Sequence, residues 1–299
     1  MFKTRINERL LKTVFAIVTM SSAMTSAVVK AEDILTATPV TYMLATELTK
    51  GTEITTQYLP PKRFGVSRLP NWFSTKGAEL TAQAAKDATV AITLAAVWPQ
   101  DPLFTHARQG NVRIIEIDAS QAISPRAQGV AALRLEDGST SLYAWLNPTN
   151  LTRMIAIVSQ DLQQVWPEQA ITIEQNQQQL MIAVRQLINQ QQKVLIDAEI
   201  DSVVLLSEEL EDFASGNQLF VVERFTHPEL EWTAEDKQAL SELLHGDDSL
   251  WLLTSKKMSA LLKLMVPDPR RVLVVDSVDR WGREGINKDK PLNRWLLKL

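Results

Sequence analysis

The sequence contains no cysteine and only three histidines among 299 residues. Without cysteine, a disulfide scaffold, a thiolate metal site, a cysteine nucleophile and a lipid-modified N-terminal cysteine are all excluded. The histidines, His106, His227 and His245, stand far apart in the sequence, and the glycine-rich nucleotide loops, G-x-S-x-G and H-E-x-x-H are missing. These absences predict that the protein is not an enzyme.

Long apolar runs are also scarce, and the one that stands out is at the N-terminus. Residues 13–29 carry no charge and follow four basic residues, and Val29-Lys30-Ala31 places small residues where a signal peptidase reads them. We therefore predict a secretory signal peptide over residues 1–31, with Glu32 as the mature N-terminus. The alternative is a membrane anchor, which the many Ser, Thr and Ala residues after Val18 disfavour.

Negative charge dominates the remaining chain. Removal of residues 1–31 leaves 26 basic and 34 acidic residues, a formal charge of −8. Such a charge argues against nucleic acid as a partner. No later segment has the uninterrupted apolar length of a membrane span. The sequence thus predicts an exported protein that is not an integral membrane protein after processing, and we expect a monomer.

Strand and helix patterns alternate along the mature chain. Buried or alternating strands are predicted near residues 34–38, 53–59, 90–95 and 112–117, and again near 203–206, 219–222, 250–253 and 272–275. Helical patterns separate them, for example at 40–50, closed by Gly51, and at 80–87 and 234–244. This alternation predicts two α/β lobes with mainly parallel sheets.

A Gln-rich segment separates the two lobes. Leu180, Val184, Leu187 and Val194 recur at helical spacing, which predicts one long helix over residues 167–195. A prion-like aggregation segment is the alternative, and the regular apolar stripe disfavours it. The predicted organisation is an N-terminal lobe at 32–165, a linking backbone helix at 166–195 and a C-terminal lobe at 196–299, with a ligand cleft between the lobes.

Several motifs resemble, in their order, the periplasmic zinc and manganese solute-binding proteins of ATP-binding cassette (ABC) importers, of the ZnuA and TroA type. They are residues 39–51, Pro60-Pro61, Trp145-Leu146-Asn147-Pro148, the long helix after Trp166-Pro167, and Val274-Val275-Asp276. The resemblance covers nearly the whole mature chain. It implies two α/β lobes bridged by a rigid helix, a metal ion held in the cleft, and an inner-membrane ABC permease as partner.

All three metal-binding histidines of that family are replaced in this sequence. The loop from Lys62 to Trp72 contains Arg68 but no histidine, Tyr143 stands at the second histidine position, and Glu208 stands at the third. The family's aspartate is retained as Asp276. The resemblance therefore implies Glu208, Asp276 and Tyr143 as metal ligands, with Arg68 and Trp145 lining the cleft.

These replacements change the metal that the site would prefer. Carboxylate and phenol oxygens suit Mn²⁺ or another hard cation better than high-affinity Zn²⁺, which imidazole favours. Each residue also has a structural explanation: Trp145 as core, Arg68 as a solvated charge, and Glu208 as an acid at a helix N-terminus. An arginine pointing into the cleft would repel a cation and pair with the carboxylates.

Two classes of function follow. The first is an exported solute-binding protein similar to the metal-binding component of a zinc/manganese ABC importer. The second is a metal-incompetent relative that acts as a protein-interaction or accessory module in the cell envelope.

Overall fold

Two sheets of four strands each organise the residues that the computed structural model describes, 33–121 and 128–299. The predicted signal peptide and its cleavage site after Ala31 lie outside these described residues. The strands are β1 Ile34–Thr36, β2 Thr56–Tyr58, β3 Val90–Thr93, β4 Ile115–Asp118, β5 Ser202–Leu205, β6 Phe220–Arg224, β7 Trp251–Thr254 and β8 Val272–Val274.

Helices connect the strands and lie between the two sheets in the sequence. The α-helices are α1 Pro39–Leu48, α2 Leu69–Phe73, α3 Lys76–Ala85, α4 Leu103–Gly110, α5 Pro148–Val165, α6 Ala170–Asp197, α7 Glu211–Gly216, α8 Ala234–Gly246 and α9 Ala260–Met265. Short 3₁₀ turns occur at Val66–Arg68, Ala144–Leu146, Pro167–Gln169, Glu208–Leu210, Glu229–Glu231 and Asn293–Trp295.

Both sheets are parallel and share one topology. Their strand orders are β2-β1-β3-β4 and β6-β5-β7-β8. The two α/β lobes with parallel sheets are therefore confirmed. In each lobe the order reverses between its first and third strands, β1 and β3 or β5 and β7, and ligands of open parallel sheets bind beyond the carboxyl ends of the strands at this point.

Local sequence explains where several helices begin. Thr38 and Thr41 form a capping box at α1, and Pro39 takes a first-turn position where its missing N–H costs nothing. The Asn147 side chain accepts hydrogen bonds from the N–H groups of Thr149 and Asn150 and so caps α5. Gly51 follows α1 with φ of 80°, the left-handed conformation expected there.

The long helix forms as its apolar stripe predicts. A 3₁₀ turn at Pro167–Gln169 leads into α6, which runs for 28 residues to Asp197. Leu180, Val184 and Leu187 are buried, and much of the Gln-rich remainder faces solvent. Helix α5 packs along α6. The backbone between the lobes therefore consists of two helices, and the boundaries 32–165, 166–195 and 196–299 remain a prediction.

Some element bounds differ from the sequence expectation. The predicted strand at 53–59 shrinks to Thr56–Tyr58, and the predicted strand at 112–117 begins only at Ile115, because Val112 is 76% exposed. Helix α4 was not expected, since its sequence LFTHARQG offers few apolar residues and ends in glycine.

A C-terminal segment, the crossing segment of residues 277–295, passes from one lobe to the other. Gly282 N–H donates to the Lys62 carbonyl at 2.8 Å, and Arg280 forms an antiparallel bridge with Gly65. Trp281 packs edge-on against Tyr42, with ring centroids 4.8 Å apart. The loops at the carboxyl ends of the two sheets thus contact each other directly.

One continuous hydrophobic core runs through both lobes. It includes Ile34 and Val90 of the first sheet, Leu205 and Leu273 of the second, and the buried stripe of α6. A smaller cluster, centred on Leu240 and Leu252, lies in the C-terminal lobe. The lobes therefore share apolar packing as well as loop contacts. Within the described residues, no helix combines the length and hydropathy needed to cross a membrane.

Asp161 of α5 gives a testable pH dependence. Its side chain is 4% exposed, its Oδ2 has no hydrogen-bond partner among the described residues, and burial raises its pKa to about 6. Since the folded state binds this proton more tightly than the unfolded state, the stability contribution falls as pH rises from about 4 through about 6. We expect Asp161→Asn to raise the free energy of unfolding by about 1–2 kcal/mol at neutral pH and not at about pH 4.

Asp101 provides the matched control for this measurement by urea denaturation. Burial raises its pKa to about 6 as well, but its carboxylate accepts hydrogen bonds from the N–H groups of Leu94 and Leu103. An amide can accept only one of these without presenting NH₂ to the other donor. Asp101→Asn should therefore bring no gain at neutral pH. An equal gain from both substitutions would show that unsatisfied burial is not the cause.

Candidate functional site

The second lobe presents a hydroxyl and carboxylate cluster at its switch point. Ser207 follows β5 and Ser255 follows β7, and the Ser207 Oγ accepts a hydrogen bond from Ser255 N–H at 3.0 Å. Ser255 Oγ in turn donates to Glu209 Oε1 at 2.6 Å. Glu209 is therefore held at the carboxyl end of the sheet, where a sheet with this topology would bind its ligand.

Asp276 is held by an arginine that sequence reasoning did not identify. Arg294 Nε donates to Asp276 Oδ2 at 2.7 Å, and Arg294 Nη2 donates to Asp276 Oδ1 at 2.9 Å. The Arg294 side chain is 7% exposed and also donates to the Arg280 carbonyl at 2.8 Å. Such a bidentate pair occupies both carboxylate oxygens with N–H donors and places a positive charge beside a residue that was predicted as a metal ligand.

Asp279 and Arg280 lie where the two lobes meet. Arg280 Nε donates to Asp279 Oδ1 at 2.9 Å, and Asp279 is only 15% exposed. A Cβ at Gly65 of the first lobe would come within 2.2 Å of Asp279 Oδ2, so the absence of a side chain at Gly65 leaves room for this carboxylate. Asp279 above all, and then Asp276 and Glu209, raise the pKa of Arg280. The guanidinium is therefore a partly exposed cation close to three carboxylates.

Tyr143 lies beside the same carboxylates. Burial raises its pKa first, and the charges of Glu209, Asp279 and Glu208 raise it further. The phenol is therefore neutral at physiological pH and could offer only a weak oxygen donor. Its ring packs 5.2 Å from that of Trp145.

The other predicted site residues occupy different environments. Trp145 is fully buried beneath Tyr143 and donates its Nε1–H to the Ser277 carbonyl at 3.0 Å. Glu208 is exposed, and partial burial, with Asp137 and Glu209 nearby, raises its pKa. Arg68 is exposed and lies over the Phe64 ring at 5.9 Å. The arginine that pairs with Asp276 thus comes from residue 294 and not from this loop.

The described residues contain no group of three His, Asp or Glu side chains placed to hold a metal ion. The structure brings Asp276 and Tyr143 into one region, together with Glu209, Asp279 and the two arginines. Residue proximity in sequence could have suggested Glu209 and Asp279, which stand next to or near predicted ligands. Arg294 follows Asp276 by 18 residues and carries no recognisable motif.

A cavity of about 330 Å³ opens beside these pairs. Its charged lining comes from the loop after β7, the loop after β8 and the C-terminal segment. The charged residues are Lys256, Asp276, Asp279, Arg280, Arg283, Glu284 and Arg294. With four cationic and three anionic side chains, the lining differs in kind from a carboxylate and imidazole cage for a divalent cation.

Comparison with solved structures gives the fold a context. The crystal structure of ZnuA matches with a TM-score of 0.62 and 16% identity over 83% of this chain and 92% of that one. A zinc-bound variant of AdcAII from Streptococcus pneumoniae matches with a TM-score of 0.65 and 14% identity, covering 89% and 95%. The manganese complex of the SBP FpvC from Pseudomonas aeruginosa gives 0.59 and 12%, covering 84% and 90%.

Comparisons of the sequence found no match, in contrast to the comparison with solved structures. No protein-family model matches the chain, and no curated protein matches its sequence. At 12–16% identity the likeness to the solved structures concerns the fold. The chain has the fold of the zinc- and manganese-binding ZnuA, AdcA and FpvC solute-binding proteins.

Proposed function

We propose that this chain is an exported solute-binding protein, similar to the metal-binding component of a zinc/manganese ABC importer, that does not capture a bare zinc ion. The Asp276–Arg294 pair carries the proposal. In the resemblance drawn from sequence, Asp276 is the one retained metal ligand, and here both of its oxygens accept hydrogen bonds from a nearly buried guanidinium.

Electrostatics supports the same conclusion. A divalent cation at this position would face Arg294 and Arg280 at close range, and binding would require that Asp276 and Asp279 release their partners. Zinc affinity in proteins depends on a closed set of deprotonated nitrogen, sulfur or oxygen ligands, and the imidazoles are replaced. A cargo other than the bare ion is then delivered from the periplasm to an inner-membrane permease.

Titration of the purified mature protein tests this proposal. We expect calorimetry with Zn²⁺ and Mn²⁺ to show no site tighter than about 1 µM, a free energy of about −8 kcal/mol. Loss of the arginine pair in Arg280→Met/Arg294→Met should improve Mn²⁺ binding if the carboxylates are otherwise competent. Nanomolar zinc binding by the unmodified protein would contradict the proposal.

Export is part of the proposed function and has its own measurement. Residues 1–31 have the basic, apolar and small-residue order of a signal peptide. The mass of the protein recovered from the cell envelope should correspond to a chain beginning at Glu32. A mass that includes Met1 to Ala31 would support an anchored form instead.

A metal-incompetent accessory module is the second candidate function. The observation that favours it is the direct loop contact between lobes, in which Gly282 and Arg280 bond to Lys62 and Gly65. If these contacts persist with every solute tested, the exposed surfaces would be the functional part. Hydrogen exchange at the Gly282 amide with and without solute distinguishes the two candidates, because solute entry between the lobes would alter its protection.

A further inference from the structure

The cavity beside Asp276 lies at the carboxyl ends of β7 and β8, next to the switch point between β5 and β7. Ser255 follows β7 and Asp276 follows β8, so both walls come from carboxyl ends of adjacent parallel strands. Its remaining wall is the crossing segment around Trp281 and Gly282. At about 330 Å³ the cavity is at the lower end of the range for small-molecule sites, roughly 300–1,000 Å³.

Two cationic side chains of this lining, Lys256 and Arg283, have no carboxylate within ion-pair distance among the described residues. Arg294, by contrast, donates its N–H groups to Asp276 and to the carbonyls of Arg280 and Trp281. Arg280 bonds Asp279 through Nε, which leaves its terminal nitrogens available. The cavity therefore presents free ammonium and guanidinium donors, while its two aspartates are already paired and Glu284 is the one lining carboxylate without an ion pair among the described residues.

We propose that this cavity binds a small polyvalent oxygen anion, a polycarboxylate or a comparable oxyanion, through Lys256, Arg283 and the free nitrogens of Arg280. This inference rests on the proposed function, because it names the class of solute that the cleft takes in place of a bare metal. Planar guanidinium groups match carboxylate and phosphate geometry in bidentate fashion, and Lys256 adds a point charge.

The free acid and an anionic metal chelate share this chemistry. In a free polycarboxylate all carboxylates are available to the cations, whereas in a chelate some of them hold the metal. Both would present carboxylate oxygens to the same side chains, and only the chelate would carry metal into the cell. Comparison of citrate with ferric citrate separates the two sources, and pyrophosphate tests the oxyanion class.

Calorimetric titration of the mature protein with citrate, pyrophosphate and ferric citrate tests the inference. We expect at least one of them to bind with a Kd of about 100 µM or tighter at low salt, and to weaken as salt increases. Lys256→Ala/Arg283→Ala should weaken that binding at least about 10-fold. The matched control is Arg185→Ala/Lys263→Ala, which removes the same charges from exposed helix positions away from the cavity.

The outcomes are distinct from those of the zinc titration. No binding of any of the three anions at about 1 mM, or equal binding by the cavity variant and the control, would overturn the anion site and leave the absence of a bare-zinc site intact. Tight zinc binding would overturn the proposed function whatever the anions do. Melting curves of both double variants verify that each is folded, because all four side chains are exposed.

Discussion

Arg294→Met is expected to lower the free energy of unfolding by about 2–4 kcal/mol, because it leaves Asp276 without its bidentate partner and two carbonyls without a donor. Arg294 is 7% exposed and Asp276 is 41% exposed, so the loss should lie in the lower part of that range. Methionine retains much of the side-chain volume, which limits the packing contribution. Urea denaturation at neutral pH measures the change.

Arg280→Met is the matched control for this prediction. It breaks a second Arg–Asp pair in the same cavity wall, but the Arg280 side chain is 55% exposed. Pairs of that kind contribute about 0–1 kcal/mol. Arg294→Lys should also lose most of the stabilisation that the Asp276–Arg294 pair provides, since an ammonium group cannot reproduce the bidentate geometry of the guanidinium. Equal effects of the two methionine substitutions on the free energy of unfolding would show that the bidentate pair of Arg294 with Asp276 does not stabilise the fold more than the exposed Arg280–Asp279 pair.

Trp145→Ala should be the most destabilising single substitution considered, at about 3–5 kcal/mol. The indole is fully buried, and its Nε1–H reaches the Ser277 carbonyl at 3.0 Å. The Trp145 carbonyl in turn accepts the Nε1–H of Trp295 at 3.0 Å. The substitution therefore removes a large side chain at the junction between the start of α5 and the C-terminal segment.

Trp145→Phe separates packing from hydrogen bonding. It keeps an aromatic ring but loses the donor to Ser277, so we expect a smaller loss of about 1–3 kcal/mol. This variant also keeps the experiment informative if the alanine variant does not fold. If both variants unfold at the urea concentration of the unmodified protein, the junction does not limit stability.

The architecture could be predicted because it is encoded locally. Apolar runs such as Val90–Thr93 are buried on both faces, as expected for an interior parallel strand. The α6 stripe follows from helical spacing alone, and Gly51 marks the turn after α1 by its positive φ. Helix α4 carries no comparable pattern of apolar residues in its sequence. Its Gly110 packs closely against the Ala82 backbone of α3, and such a contact between helices cannot be read from local sequence.

The environment of the site residues could not be predicted in the same way. Asp276 and Tyr143 were found from motif position, which fixes where a residue stands in the fold but not which partners reach it. The partner of Asp276 depends on the path of the segment that brings Arg294 back, and the exposure of Glu208 depends on the turn that it occupies. These are long-range properties that spacing does not encode.

The crossing segment also has a consequence for the order in which the chain folds. The hydrogen bonds of Trp145 with Ser277 and Trp295 span 132 and 150 residues, and that of Gln191 with the Trp295 carbonyl spans 104. Synthesis proceeds from the N-terminus, so Trp145 and Gln191 emerge well before their partners. Contacts of such separation close late. The first lobe therefore completes its contacts with the C-terminal segment only when residues 277–295 have been synthesised. Until then it exposes an apolar surface that chaperones and proteases can recognise.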